Sequence, residues 1–506
     1  MKRIISIILV LFIASAFFAS CTENEPEQSI SPIQSDEPDV SVTSSEESEE
    51  VSEAPLDPYM DEEGNYRITN ELKTFDDEEF SIIVRGESAG TYQSNDFTTG
   101  SELYGEVLDA AVTDKNRKVE DTYKVKLKIY KNDNINNDII ADISGGTQLY
   151  DAIMPTLTTL AKLASEGNLI DLNTLDYIHL DAPWYDDNCT KSMSINNQCF
   201  FTTGDITILN KVNTSAFLFN KEMIRVNNLE DPYELVRNHQ WTYDKMKEMA
   251  KQVTSDTDGV DGMSGKDTWG LLASYDDSLV LYCAANKLLC QKDSNDMPVL
   301  AFGDDSSVSV IQKILGDMEE TNTWVTYAQQ FEQPIWVTSL NAFIDGRVLF
   351  RPSQFSATTK LRIAGADFGI VPNPLWSEEQ DDYRSFCFGT QTAGIAISVG
   401  CEDPEYSAYM IEAISCESKR YLTPAYMEIN LKTKDAQDEE SLEMLNIVFD
   451  NIVYDIGHVY DFGGIGSMFE KLCEAKSTDV VSAFRSIEPS VQNAIEEVIK
   501  TYKELE

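Results

Sequence analysis

Between residues 80 and 164 the chain switches repeatedly between two hydrophobic periods. Residues 80–84 (FSIIV) are a short apolar run rich in β-branched side chains. Residues 103–123 place Leu103, Val107 and Ala111 at helical spacing with charges between them. Residues 124–130 (KVKLKIY) alternate with a period of two, as a half-exposed strand does. Helical spacing returns over 135–143 and stops at Ser144-Gly145-Gly146. Residues 150–154 (YDAIM) form another strand-like run closed by Pro155, and a helix follows over 157–164. Strand, helix, strand, helix, strand in so short a stretch predicts a parallel sheet with helical crossovers. Ligands of such sheets sit beyond the carboxyl ends of the strands. Those ends are Arg85-Gly86-Glu87-Ser88 and Pro155-Thr156-Leu157-Thr158.

The chain has 506 residues, too many for one ordinary domain of ~100–200 residues. A hydrophobic fraction of 42% is enough to build real cores. With 39 Lys and Arg against 87 Asp and Glu, the net charge is −48. That argues against a nucleic-acid groove and against attraction to anionic lipid. His179, His239 and His458 are far apart, so a His-rich zinc site is not expected.

The N-terminus reads as an address. Lys2 and Arg3 precede an apolar run over 4–18, and 18–21 (FASC) follows with small residues before Cys21. This is a secretory signal over 1–20. Its end resembles the lipobox of bacterial lipoproteins, which implies lipidation of Cys21. Residues 31–55 (SPIQSDEPDVSVTSSEESEEVSEAP) offer almost nothing to bury, so 21–64 is expected to be a disordered acidic stalk. Its ~45 residues would give a tether of roughly 35–40 Å.

The rest of the chain continues the strand and helix alternation. Residues 206–220 (ITILNKVNTSAFLFN) read as paired strands. Thr242 stands where an N-cap would start a helix to about 253. Further helices are expected over 279–289, 307–319, 404–415 and 441–454. The string 255–267 (SDTDGVDGMSGKD) is the only metal-like one. Asp256, Asp258, Asp261 and Asp267 could hold a structural calcium ion, but Val260 breaks the EF-hand spacing and the final Glu is missing. A plain Asp/Gly turn is the alternative, and no other cofactor is expected. There is no CxxC, and Cys283 and Cys290 fit core packing better than a bridge.

Several segments together resemble the extracellular solute-binding proteins of ABC importers, in the sugar-binding class that includes maltose-binding protein. They are 215–221 (SAFLFNK), 240–244 (QWTYD), 343–350 (FIDGRVLF), 367–374 (DFGIVPNP), 392–396 (TAGIA) and 404–408 (PEYSA). The resemblance covers about 75–490. It implies an α/β fold of the two-lobed periplasmic-binding-protein type (type II). Each lobe would be a mainly parallel sheet flanked by helices, with two or three hinge segments between them. Lobe one would hold 65–212 and 385–432, and lobe two 213–375 and 438–506. It implies capture of a small polar solute, a sugar or oligosaccharide, at the outer face of the cytoplasmic membrane. Delivery would be to permease subunits, by a monomer that is not an enzyme.

A cleft of this kind needs aromatic faces and planar polar groups. The expected lining is Arg85, Glu87 and Tyr92 after the first strand, Thr156 after the third, and Asp205 before the crossing strand. From the second lobe come Tyr275, Asp276, Trp336 and Arg351, with Gln391 before a hinge strand and Asp455 at a helix end. Trp241 is expected to be structural. No GxSxG, P-loop, HExxH or GxGxxG motif is present. With 87 acidic residues, a glycosidase carboxylate pair stays open as an alternative, as does a sensor role beside a membrane kinase.

Overall fold

The computed structural model of the chain describes residues 57–431 and 439–505. Cys21 and the acidic run ending at Pro55 lie outside the described residues. The alternation over 80–164 becomes a three-stranded parallel sheet, in the order β2-β1-β3. The strands are β1 (Glu78–Arg85), β2 (Val125–Asn132) and β3 (Ala152–Met154). Phe80, Ile82, Ile83 and Val84 of the central strand are all buried, as a strand covered on both faces requires. β2 lies at the edge, and its exposed Lys126 and Lys128 alternate with less exposed neighbours. The body reaches further toward the N-terminus than residue 65. Tyr59 packs edge-on against the buried Trp184 at 5.3 Å, and Met60 bridges to Tyr66.

The middle of the chain builds a second sheet. Its strands are β4 (Ser215–Asn220), β5 (Trp269–Ala273), β8 (Val325–Tyr327), β9 (Val348–Gln354) and β10 (Phe368–Val371). A small hairpin of β6 (Cys290–Lys292) and β7 (Pro298–Leu300) stands apart from it. The order is β10-β4-β9-β5-β8. β5, β8 and β9 are parallel, while β4 runs against both β9 and β10. The expected pairing within 206–220 does not occur. Leu209–Val212 is a helical turn, held by Asn213 Nδ2 and Thr214 Oγ1 donating to the carbonyls of Leu209 and Asn210, both at 2.8 Å. Only β4 is a strand, and its partners come from far along the chain.

Among the described residues, two stretches link the sheets. The first enters β4, and the second leaves β10 through β11 (Ser385–Phe386), which pairs with β12 (Ile452–Val453). After β11, residues 393–396 return to the first sheet through single bridges to Thr156, Thr202 and Ile153. Helix Pro404–Leu431 packs on helix Gly105–Tyr123, and helix Glu439–Asp450 packs on β10. The helix over 404–415 is thus longer than expected. The halves are not separate domains: residues 56–506 form one unit, and one apolar cluster runs from Ile83 and Leu157 to Phe350 and Tyr502. The C-terminal helix Val480–Glu504 contributes to that join. Its Phe484 packs on Phe302 at 4.9 Å, and its Tyr502 packs on Phe200 at 4.9 Å.

Candidate functional site

β5 and β9 end side by side, and the chain beyond β5 turns through Ser274 into helix Asp277–Ala284. Facing them is the short turn Glu87–Tyr92 that follows β1. Between the two lies a cavity of about 410 Å³, within the roughly 300–1,000 Å³ span of small-molecule sites. Tyr92, Asp276, Trp336, Arg351 and Gln391 line it, all expected from the sequence. Tyr92 Oη donates to Gln354 Oε1 at 2.7 Å, so one hydrogen bond already crosses from the first half to the end of β9. A second cavity of about 330 Å³ shares Asp276, Phe388 and Thr390 with the first. Thr158, His458 and Glu470 extend its wall.

The polar groups are arranged unequally. Arg351 is 8% exposed, and its Nε and Nη1 are buried with no hydrogen-bond partner. Burial pulls its guanidinium down to about 10, against the Asp277 and Asp276 charges, so it stays cationic at neutral pH. Asp277 accepts the Ser274 N–H at 2.6 Å. Burial first, then the Asp276 charge, pushes its carboxyl well up. Arg85 does not line the cavity but stands behind it. Its Nη1 donates to the Gln391 carbonyl, and Nη2 reaches Gln391 Oε1 at 3.5 Å. Trp336 is 55% exposed at the other wall, an aromatic face open to solvent.

No family model matches the chain, and no curated protein matches it in sequence. Solved structures do. A cyclo/maltodextrin-binding protein complexed with maltotetraose superposes at TM-score 0.52 with 13% identity, over 85% of this chain and 97% of that one. The maltose-binding protein MalE of Listeria monocytogenes, in complex with maltose, gives 0.52 and 15%, over 85% and 99%. MalX of Streptococcus pneumoniae, in complex with maltopentaose, gives 0.53 and 14%, over 82% and 99%. The chain has the two-lobed type II binding-protein fold. On that fold the cavity is the interlobe cleft.

Other expected residues lie away from the cleft. Asp205 is buried among Lys211 and Lys419, each at 3.0 Å, and Thr423 Oγ1 at 2.6 Å. Burial raises its carboxyl, but the two lysines outweigh that and hold it below the usual range. It is an internal ion cluster. Asp455 is fully buried and accepts the N–H groups of Leu289 at 2.6 Å and Gly457 at 2.7 Å, so it anchors the β6 strand start. Thr156 caps helix Leu157–Ser165 by accepting the Thr159 N–H at 3.3 Å. Tyr275 packs on Tyr327 at 4.8 Å, and Glu87 is exposed outside the cavity. Phe388, Thr390, Lys360 and His458 were not anticipated; nothing in their local sequence marks them.

In the Asp/Gly loop, carboxylates of Asp256, Asp258 and Asp267 come within 4.8 Å of one another, without Asp261. Asp267 already accepts the N–H groups of Thr257, Asp258 and Ser264 at 2.7–3.0 Å. Those bonds close the loop. Cys189, Cys199, Cys283, Cys290, Cys387, Cys401, Cys416 and Cys473 are all free and buried.

Proposed function

We propose that the chain captures a small polar solute of the saccharide class between its lobes. It passes the solute to the permease of an ABC importer, from a lipid anchor at Cys21 on the outer face of the membrane. The observation that carries this reading is the cleft, walled from both sheets by Trp336, Tyr92, Arg351, Asp276 and Gln391. An aromatic face suits the C–H surface of a pyranose, and planar polar groups suit its hydroxyls. Contacts made to both lobes at once shift the open and closed populations, which is what a capture protein needs. The fold agrees, since its compared examples hold maltotetraose, maltose and maltopentaose.

A saccharide panel screened by thermal shift and by Trp fluorescence tests the reading. A bound solute raises Tm with concentration and changes the Trp336 signal, with no turnover of the saccharide. Release of shortened glycan products, or no stabilisation by any saccharide, contradicts it. Labelling of Cys21 by a radioactive fatty acid, lost in Cys21→Ala, tests the anchor.

A further inference from the structure

The cleft holds a buried guanidinium whose hydrogen-bonding groups the protein leaves unmet, although the Asp276 and Asp277 charges act on it. Arg351 makes no hydrogen bond from its side chain and no ion pair among the described residues. Lys360 lines the same cavity from helix Ser356–Ile363, just past β9, and its ammonium is likewise without a partner there. Several other cations of this chain, whose net charge is −48, sit in ion pairs. Lys247 lies between Asp317 and Glu320, Lys313 between Asp244 and Asp317, and Lys211 beside Lys419 on Asp205. A buried guanidinium lacking acceptors is unfavourable unless a bound group supplies them. A carboxylate or a sulfate ester offers a guanidinium two acceptors at once.

We infer that the captured saccharide carries an anionic group, a carboxylate or sulfate ester, that seats on Arg351 and Lys360 while Asp276 and Gln391 take hydroxyls. This rests on the capture reading above. Asp276 lies where the two cavities meet, while Asp277 lines the first cavity with Arg351 and acts on its charge. Arg85 fixes Gln391 on the opposite wall and adds a further cation behind it.

The test is calorimetric titration of the full body with matched saccharides. Di- and trisaccharides bearing glucuronate, galacturonate or a sulfate ester are each paired with their methyl ester or unsulfated form. The acidic form is expected to bind at least tenfold tighter than its neutral partner, and the uronate and sulfate arms tell the two anions apart. Arg351→Gln should erase that preference, and Lys360→Gln should reduce it about threefold. Lys360 is exposed, so its variant keeps the test decisive if Arg351→Gln does not fold. Neutral forms binding as tightly as acidic ones, or a preference that survives both substitutions, overturns the inference and leaves capture standing. A panel in which no member binds removes both.

Discussion

Glu412 is fully buried on helix Pro404–Leu431, and its carboxyl is poorly supplied with donors. Oε2 accepts from Tyr185 Oη at 2.7 Å and from the His179 N–H at 3.4 Å, while Oε1 is buried without a partner. Burial outweighs those bonds and pushes the group from 4.5 to about 7. A carboxyl raised by folding binds more protons in the native state than in the unfolded one. Its contribution is therefore complete below 4.5 and is lost as pH rises through about 7. Over pH 5 to 8 that loss is ~2–3 kcal/mol. Denaturant melts at the two pH values should show Glu412→Gln removing most of that fall; equal falls in the two proteins would contradict it. Asp455, raised by burial to about 6, acts with the same sign over a lower window.

Among elements, those with local instructions were the legible ones. Thr242 accepts the Lys245 N–H at 3.2 Å and opens helix Tyr243–Val253 where the cap chemistry put it. Thr242→Ala should cost ~1 kcal/mol in a denaturant melt. β2 followed from its period of two, and β1 and β3 from short apolar runs, because a strand's burial pattern is written in its own residues. Residues 206–220 misled because Asn213 and Thr214 end a helical turn there through side-chain bonds, which β-propensity does not register. Tyr92, Asp276, Arg351 and Gln391 were readable from their places next to strand ends or hinge segments. Phe388, Thr390 and Lys360 reach the cleft only through long-range packing. Gly394 depends on the same packing. A Cβ there would stand 2.6 Å from Leu157 Cδ2 and 2.9 Å from the Thr202 carbonyl oxygen. Gly394→Ala should destabilise by ~1–3 kcal/mol, measured by the same melts.

At the level of the whole molecule, the proposed capture depends on how the two halves move against each other. Tyr92 reaches across the cleft to Gln354, so Tyr92→Phe removes a bond made between lobes. Solute affinity should fall roughly 2–10-fold by calorimetry, with the unliganded Tm almost unchanged. A large drop in that Tm would instead mean that the bond supports the fold. The C-terminal helix sets a second constraint on such motion. With Phe484 seated on Phe302 and Tyr502 on Phe200, Val480–Glu504 acts as a strap buckled at both ends. A truncation before Val480 should therefore leave no half intact, and scanning calorimetry of the whole body should record a single heat-absorption peak. The jaws of this molecule share one spine, and whatever opens them must pivot about it.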